Sequence, residues 1–168
     1  MTTQATQTKS LYTPTAQALG LQEAGFTDYV HALEQVFRNT YDLYLKSLFY
    51  HWNFKGTSFL SVHPFLEEQY TWLAANLDAQ AERLRIIGLP SRLPHRLGQA
   101  QLGLPDEVPA HDDLFIQVRD DHYVVIRALR KAIEAAEGVG DVVLVDLLTT
   151  TLQQHEKAAW FCDVNRSR

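Results

Sequence analysis

Five side chains able to bind a metal ion, His51, His63, Glu67, Asp78 and Glu82, follow one another closely, starting in the run His51-Trp52-Asn53-Phe54-Lys55-Gly56. At about 100° per residue, the last four of these ligands lie at about 0°, 40°, 60° and 100° around a helix, so one narrow face carries them all. Val62, Leu66, Leu73, Leu77 and Leu84 flank that face. Two imidazoles and three carboxylates suit iron, manganese or zinc, and carboxylate oxygen becomes the better partner once iron is ferric. Redox iron is the economical reading. His63 and Asp78, 15 residues apart, are separated by roughly 22 Å along a helix axis. One metal ion cannot touch both within a single chain. If the face is a metal site, His63 and Glu67 of one copy must meet Asp78 and Glu82 of another, antiparallel across a two-fold axis. The competing structural reading makes His51 a core histidine bonded to backbone, leaves Glu67 and Glu82 solvated and pairs Asp78 with an arginine. Each of these is ordinary alone; four ligand-type residues on one leucine-lined face favour the metal.

One helix must carry that face and another must bring His51 to it. Val30, Leu33, Phe37, Tyr41, Tyr44, Leu48 and His51 recur at steps of three and four, which predicts a first long helix capped by Thr27 or Asp28 and closed by Gly56. His51 then lies on the core stripe, where an unpartnered imidazole would be costly to bury. The second helix is expected to begin near Ser58 or Ser61 and to run to Gly88, with Pro64 harmless in its first turn, where an N–H would have no intrahelical partner. Residues 89–111, with Pro90, Pro94, Gly98, Gly103, Pro105 and Pro109, read as a connector with one short helix around 93–101. Asp112 or Asp113 starts a third helix with Phe115, Val118, His122, Ile126, Leu129 and Ile133 on one face. Asp141 caps a fourth, bearing Val145, Leu148, Leu152, His155 and Ala159. The short links make helices 1 and 2, and 3 and 4, antiparallel; the connector is long enough to span a second helix of roughly 42 Å and leave helices 2 and 3 parallel. The expected fold is all-α, a ferritin-like four-helix bundle over residues 27–165 with a long crossover between helices 2 and 3, preceded by a flexible or docked tail over 1–26.

A chain of 168 residues with 46% hydrophobic content fits one domain. With 15 basic and 20 acidic residues, its net charge of -5 argues against a dedicated nucleic-acid binder and suits a protein that attracts cations. The single cysteine, Cys162, allows neither an intrachain disulfide nor a thiolate zinc cage. The N-terminal MTTQATQTKS lacks the basic start and apolar run of a secretory signal, and no run of about 18 apolar residues suggests a membrane span, so a cytoplasmic location is expected. His31, His95 and His111 read as solvated, and His122 and His155 as satisfied core histidines.

The run His51-Trp52-Asn53-Phe54-Lys55-Gly56, followed by His63, Glu67, Asp78, the Ala81-Glu82-Arg83 step and Gly88, resembles the Dps family, the mini-ferritins that protect bacterial DNA during starvation and oxidative stress. The likeness covers about residues 27–164. It implies a bacterial cytoplasmic protein, with nucleoid association possible, that assembles as a hollow dodecamer of two-fold dimers. Each ferroxidase site would hold two ferrous ions, with zinc or manganese as possible substitutes. His51, His63 and Glu67 would come from one subunit, with Asp78 and Glu82 from its neighbour. Glu67 stands where many members carry Asp; it is one methylene longer, which changes the bridging reach and keeps the ligand chemistry. The implied activity is oxidation of ferrous iron, with hydrogen peroxide preferred over dioxygen, and storage of the ferric product as a mineral. Trp52 and Trp160 would serve as sacrificial electron donors, core packing being their alternative role. Asp146 resembles the acidic lining of the three-fold iron pores, whereas Asp141 reads as an N-cap.

Two rival functions follow. A larger ferritin or bacterioferritin needs Glu-x-x-His pairs inside each bundle, and no Glu here is followed three residues later by His. A DNA-compacting nucleoid protein with secondary iron chemistry is the alternative from another class. Several Dps proteins bind DNA through a lysine-rich tail, but the first 26 residues here offer only Lys9, and the C-terminus Arg166 and Arg168. Twelve copies would carry a charge of roughly -60, so DNA binding is expected to be weak or absent.

Overall fold

A computed structural model describes residues 10–91 and 107–166. Its helices are α1 (Pro14–Ala18), α2 (Phe26–Asn53), α3 (Phe59–Ile86), α4 (His111–Val139) and α5 (Val142–Val164), and the described residues contain no strand. Side-chain pairs give the directions. Lys46 meets Asp121 and Tyr50 meets Gln117, so α2 and α4 are antiparallel. Phe65 packs on Phe115 and Gln69 bonds His122, so α3 and α4 run parallel. Trp72 lies against His155 and Arg83 bonds Asp141, which makes α3 and α5 antiparallel. This is the four-helix bundle with a crossover between α3 and α4 that the connector length implied. The short helix expected around 93–101, and His95, lie outside the described residues.

The core stripe of α2 differs from the expected one. Val30, Leu33 and Phe37 are buried, but farther along the helix the core face passes through Val36, Thr40, Leu43, Ser47 and Tyr50, while Tyr41, Tyr44 and Leu48 are half-buried. Thr40 and Ser47 can enter the core because their hydroxyls donate to the carbonyls of Val36 and Leu43, at 2.9 and 2.8 Å. The tyrosines pack beside them, Phe37 stacked on Tyr41 and Tyr41 tilted against Tyr44.

Several helix ends differ from the expected ones. Gly25 at φ 81°, rather than Thr27 or Asp28, precedes the first turn of α2, and Phe54, not Gly56, is its C-cap. The third helix of the bundle's sequence order begins at His111 with Ala110 as N-cap. Helix α3 starts at Phe59, which puts Pro64 in its interior and costs the Leu60 carbonyl its i+4 partner; Leu60 is exposed, so water can take that oxygen. Asp141 caps α5 as expected, accepting from Leu144 N at 3.0 Å. It also receives Tyr29 Oη at 2.6 Å and the Arg83 guanidinium, so one buried carboxylate ties together α2, α3 and α5. The described part of the tail is docked. Thr13 caps α1 and donates to the Ile87 carbonyl, and Gly88, at φ 85°, has no Cβ to meet the Thr13 and Thr15 hydroxyls.

Candidate metal centre

The turn between α2 and α3 brings His51 and His63 face to face. Their rings stack with centroids 3.7 Å apart and 21° between planes. Each Nδ1 donates to the other residue's backbone carbonyl, at 3.0 Å in both directions. The His51 carbonyl lies in the last turn of α2, where it has no intrahelical donor, so the His63 ring closes that helix end. With Nδ1 carrying the proton, Nε2 is the lone-pair nitrogen of each neutral ring. Backbone hydrogen bonding of this kind orients a ligating histidine and sets its tautomer. Phe59 stacks on His63 at 4.7 Å, and Tyr70 stands edge-on to His51 at 5.1 Å.

Glu67 is exposed one turn beyond His63, and Asp78 and Glu82 are exposed farther along α3. None of the three carboxylates bonds or pairs with another described residue. Parts of the competing structural reading therefore hold within one chain. His51 does have a backbone partner, and Glu67 and Glu82 do face solvent. Its third element fails, because Asp78 has no arginine among the described residues and Arg83 turns inward to Asp141. Val62, Leu66, Leu73, Leu77 and Leu84 are all buried, so the ligand-type residues border the packed stripe. Among the described residues no three His, Cys, Asp or Glu side chains converge on one point. The chain brings His51 and His63 together, leaves Glu67 beside them, and holds Asp78 and Glu82 apart.

Neither tryptophan singled out in the sequence packs the core: Trp52 is 70% and Trp160 58% exposed. Asp146 is exposed near the start of α5, at the Arg83–Asp141 end of the bundle. His31 is exposed, and His111 is half-buried against Asp112 at 2.9 Å. Burial raises the Cys162 thiol to about 12, helped by nearby Asp163, so it is a packing residue rather than a thiolate ligand. Tyr70 and Phe59 escaped the sequence reasoning. Tyr70 was discoverable, since it lies two turns past His63 on the same face. Of the two core histidines, His122 is satisfied as expected, but His155 Nε2 has no partner among the described residues.

The family model for the Ferritin-like domain matches residues 30–165. An uncharacterized low temperature-induced protein of Nostoc sp. is 31% identical over 147 residues, covering 84% of this chain and 82% of that protein. Dps from Staphylococcus aureus has a similar structure, with a TM-score of 0.77 and 26% identity over 84% of this chain and 97% of its own. The fold is also that of a Vibrio cholerae Dps described as a member of a broad superfamily of ferritin-like diiron-carboxylate proteins, with a TM-score of 0.75 and 23% identity over 87% of this chain and 93% of that one.

Proposed function

Because the chain belongs to the Dps family of ferritin-like proteins, we propose that it is a ferroxidase that oxidises ferrous iron at sites shared by two copies of the chain. The observation that carries this reading is the reciprocal His51–His63 clasp, which presents two oriented imidazoles beside the Glu67 carboxylate, which pairs with no other described residue. Asp78 and Glu82, which pair with no other described residue, lie on the same helix and complete a site when a second copy lies antiparallel. Ferrous iron is the substrate. Two ions at one site deliver both electrons that hydrogen peroxide needs: two Fe²⁺, one peroxide and two protons give two Fe³⁺ and two waters, without release of hydroxyl radical. Dioxygen is the slower oxidant. Ferric product collects as a mineral inside a dodecameric shell, a cytoplasmic store that limits oxidative damage.

Trp52, exposed next to His51, and Trp160, on the helix that ends beside Val62 and Leu66 through Cys162, are the candidate electron donors. Asp146, exposed in α5, is the candidate lining of an iron pore between subunits. DNA compaction is the lesser role, since Lys9 is the only basic residue of the tail. Anaerobic ferrous titration followed by peroxide, with oxidation and assembly size read together, tests the proposal. Two irons oxidised per chain in a large closed assembly are expected. Slow oxidation indistinguishable from that in buffer would refute it.

A further inference from the structure

The clasped imidazoles continue into two further rings. Phe59 stacks on His63 with centroids 4.7 Å apart, His63 stacks on His51 at 3.7 Å, and Tyr70 stands edge-on to His51 at 5.1 Å and 74°. Tyr70 follows His63 by seven residues on α3, which at about 100° per residue returns it to within about 20° of the same face. Its ring is half-buried, and its hydroxyl bonds no other described residue. Among the described tyrosines and tryptophans, Tyr70 alone is in ring contact with a ligand imidazole. Trp52 is 70% exposed, and Trp160 packs on Phe161. Trp72 packs inside the bundle on His122 and His155, where His122 bonds both His155 and Gln69. Tyr50, next to His51 in sequence, turns to the core and donates to Gln117. Phe59 has no acidic proton to lose together with an electron, whereas the phenol of Tyr70 does.

Given the shared ferroxidase site, on which this inference rests, we propose that Tyr70 is a recyclable one-electron donor, acting through His51 when a site holds one ferrous ion rather than two. Hydrogen peroxide needs two electrons to become two waters. A lone ferrous ion supplies one, and the phenol supplies the other: Fe²⁺, one peroxide, one proton and Tyr70 give Fe³⁺, two waters and a neutral tyrosyl radical. The O–O bond breaks, iron and phenol each lose one electron, and the phenol proton ends in water. The next ferrous ion to arrive closes the cycle. It reduces the radical, and one proton from solvent restores the phenol, leaving a second Fe³⁺. The two halves sum to two irons per peroxide, so the ions need not arrive together, and neither half releases hydroxyl radical. Contact between the Tyr70 and His51 rings leaves no solvent layer for the electron to cross. Half-burial shields the tyrosyl ring until it is reduced, a cover that the exposed indole of Trp52 lacks.

The test loads the assembled full chain anaerobically with ferrous iron at well under one ion per chain, adds peroxide and freezes the mixture for electron paramagnetic resonance. A tyrosyl radical is expected, and a second addition of ferrous iron before freezing should remove it. Tyr70→Phe keeps the ring, so assembly size should hold, while the tyrosyl signal falls at least tenfold and spin-trapped hydroxyl radical rises. Trp52→Phe should leave the tyrosyl signal in place. If the Tyr70→Phe chain fails to assemble, the wild-type protein decides by itself: a nitroso spin trap added with the peroxide should leave its adduct on the peptide containing Tyr70, located by mass spectrometry. A wild-type protein that oxidises no iron at all overturns the ferroxidase reading and this proposal with it. Oxidation without a protein radical, a tyrosyl signal undiminished in assembled Tyr70→Phe, or an adduct on other residues only overturns this proposal alone.

Discussion

Chains carrying only His63→Ala, or only Asp78→Ala, should each assemble and each lose fast iron oxidation, yet recover part of it when refolded together. Helix packing rests on the buried Val62, Leu66, Leu73, Leu77 and Leu84, which neither substitution touches. The two residues are 15 positions apart on the continuous α3, hence roughly 22 Å along its axis, so each complete site must draw on two chains. In a mixed dimer, one site receives both lesions. The other takes His51, His63 and Glu67 from the Asp78→Ala chain and Asp78 and Glu82 from the His63→Ala chain, which is a wild-type ligand set. Random pairing makes about half the dimers mixed, with one good site of two in each, so about a quarter of wild-type activity should return. The assay is stopped-flow oxidation of ferrous iron by peroxide, with chain mixing verified by mass spectrometry. Recovery near zero in a verified mixture would refute the two-chain site.

Asp141→Ala strips the buried Arg83 guanidinium of its partner and leaves Tyr29 Oη and Leu144 N unbonded. It should cost about 3–5 kcal/mol in denaturant unfolding, and a change below about 1 kcal/mol would contradict the structural role given to that carboxylate. The buried histidines set a pH dependence. Their folded-state values lie below 6.5, about 3 for His122, so unfolded rings bind protons that folded ones refuse. Stability from this source is complete above about pH 6.5 and falls as pH drops towards the folded values, by up to about 1.4 kcal/mol per unit and ring. A His122→Leu/His155→Leu double variant should show a shallower acid slope; an unchanged slope refutes the assignment. On DNA, no plasmid retardation is expected at neutral pH and about 0.15 M salt, because one tail lysine releases too few counterions. Retardation that disappears on deleting residues 1–12 would show that the tail does bind.

The bundle, its crossover and the shared face of α3 that carries His63, Glu67, Asp78 and Glu82 were legible in the sequence, because helical period, proline-rich connector and N-cap chemistry act over a few residues and leave local patterns. Boundaries were less legible. Gly25 rather than Thr27 or Asp28 precedes α2, and Pro64 fell inside α3, because a helix extends when neighbouring packing compensates one weak position. The rotation of the α2 stripe onto Thr40 and Ser47 was hidden, since those hydroxyls become core-compatible only by bonding the carbonyl one turn back. Composition likewise marked Asp141 as a cap, whereas its service to Tyr29 and Arg83 needed three helices in register. The His51–His63 clasp and the His122–His155–Gln69 layer were decided by tertiary structure alone. A one-dimensional pattern states which residues share a face, but tautomer, stacking and an unpartnered nitrogen arise only where separate helices meet.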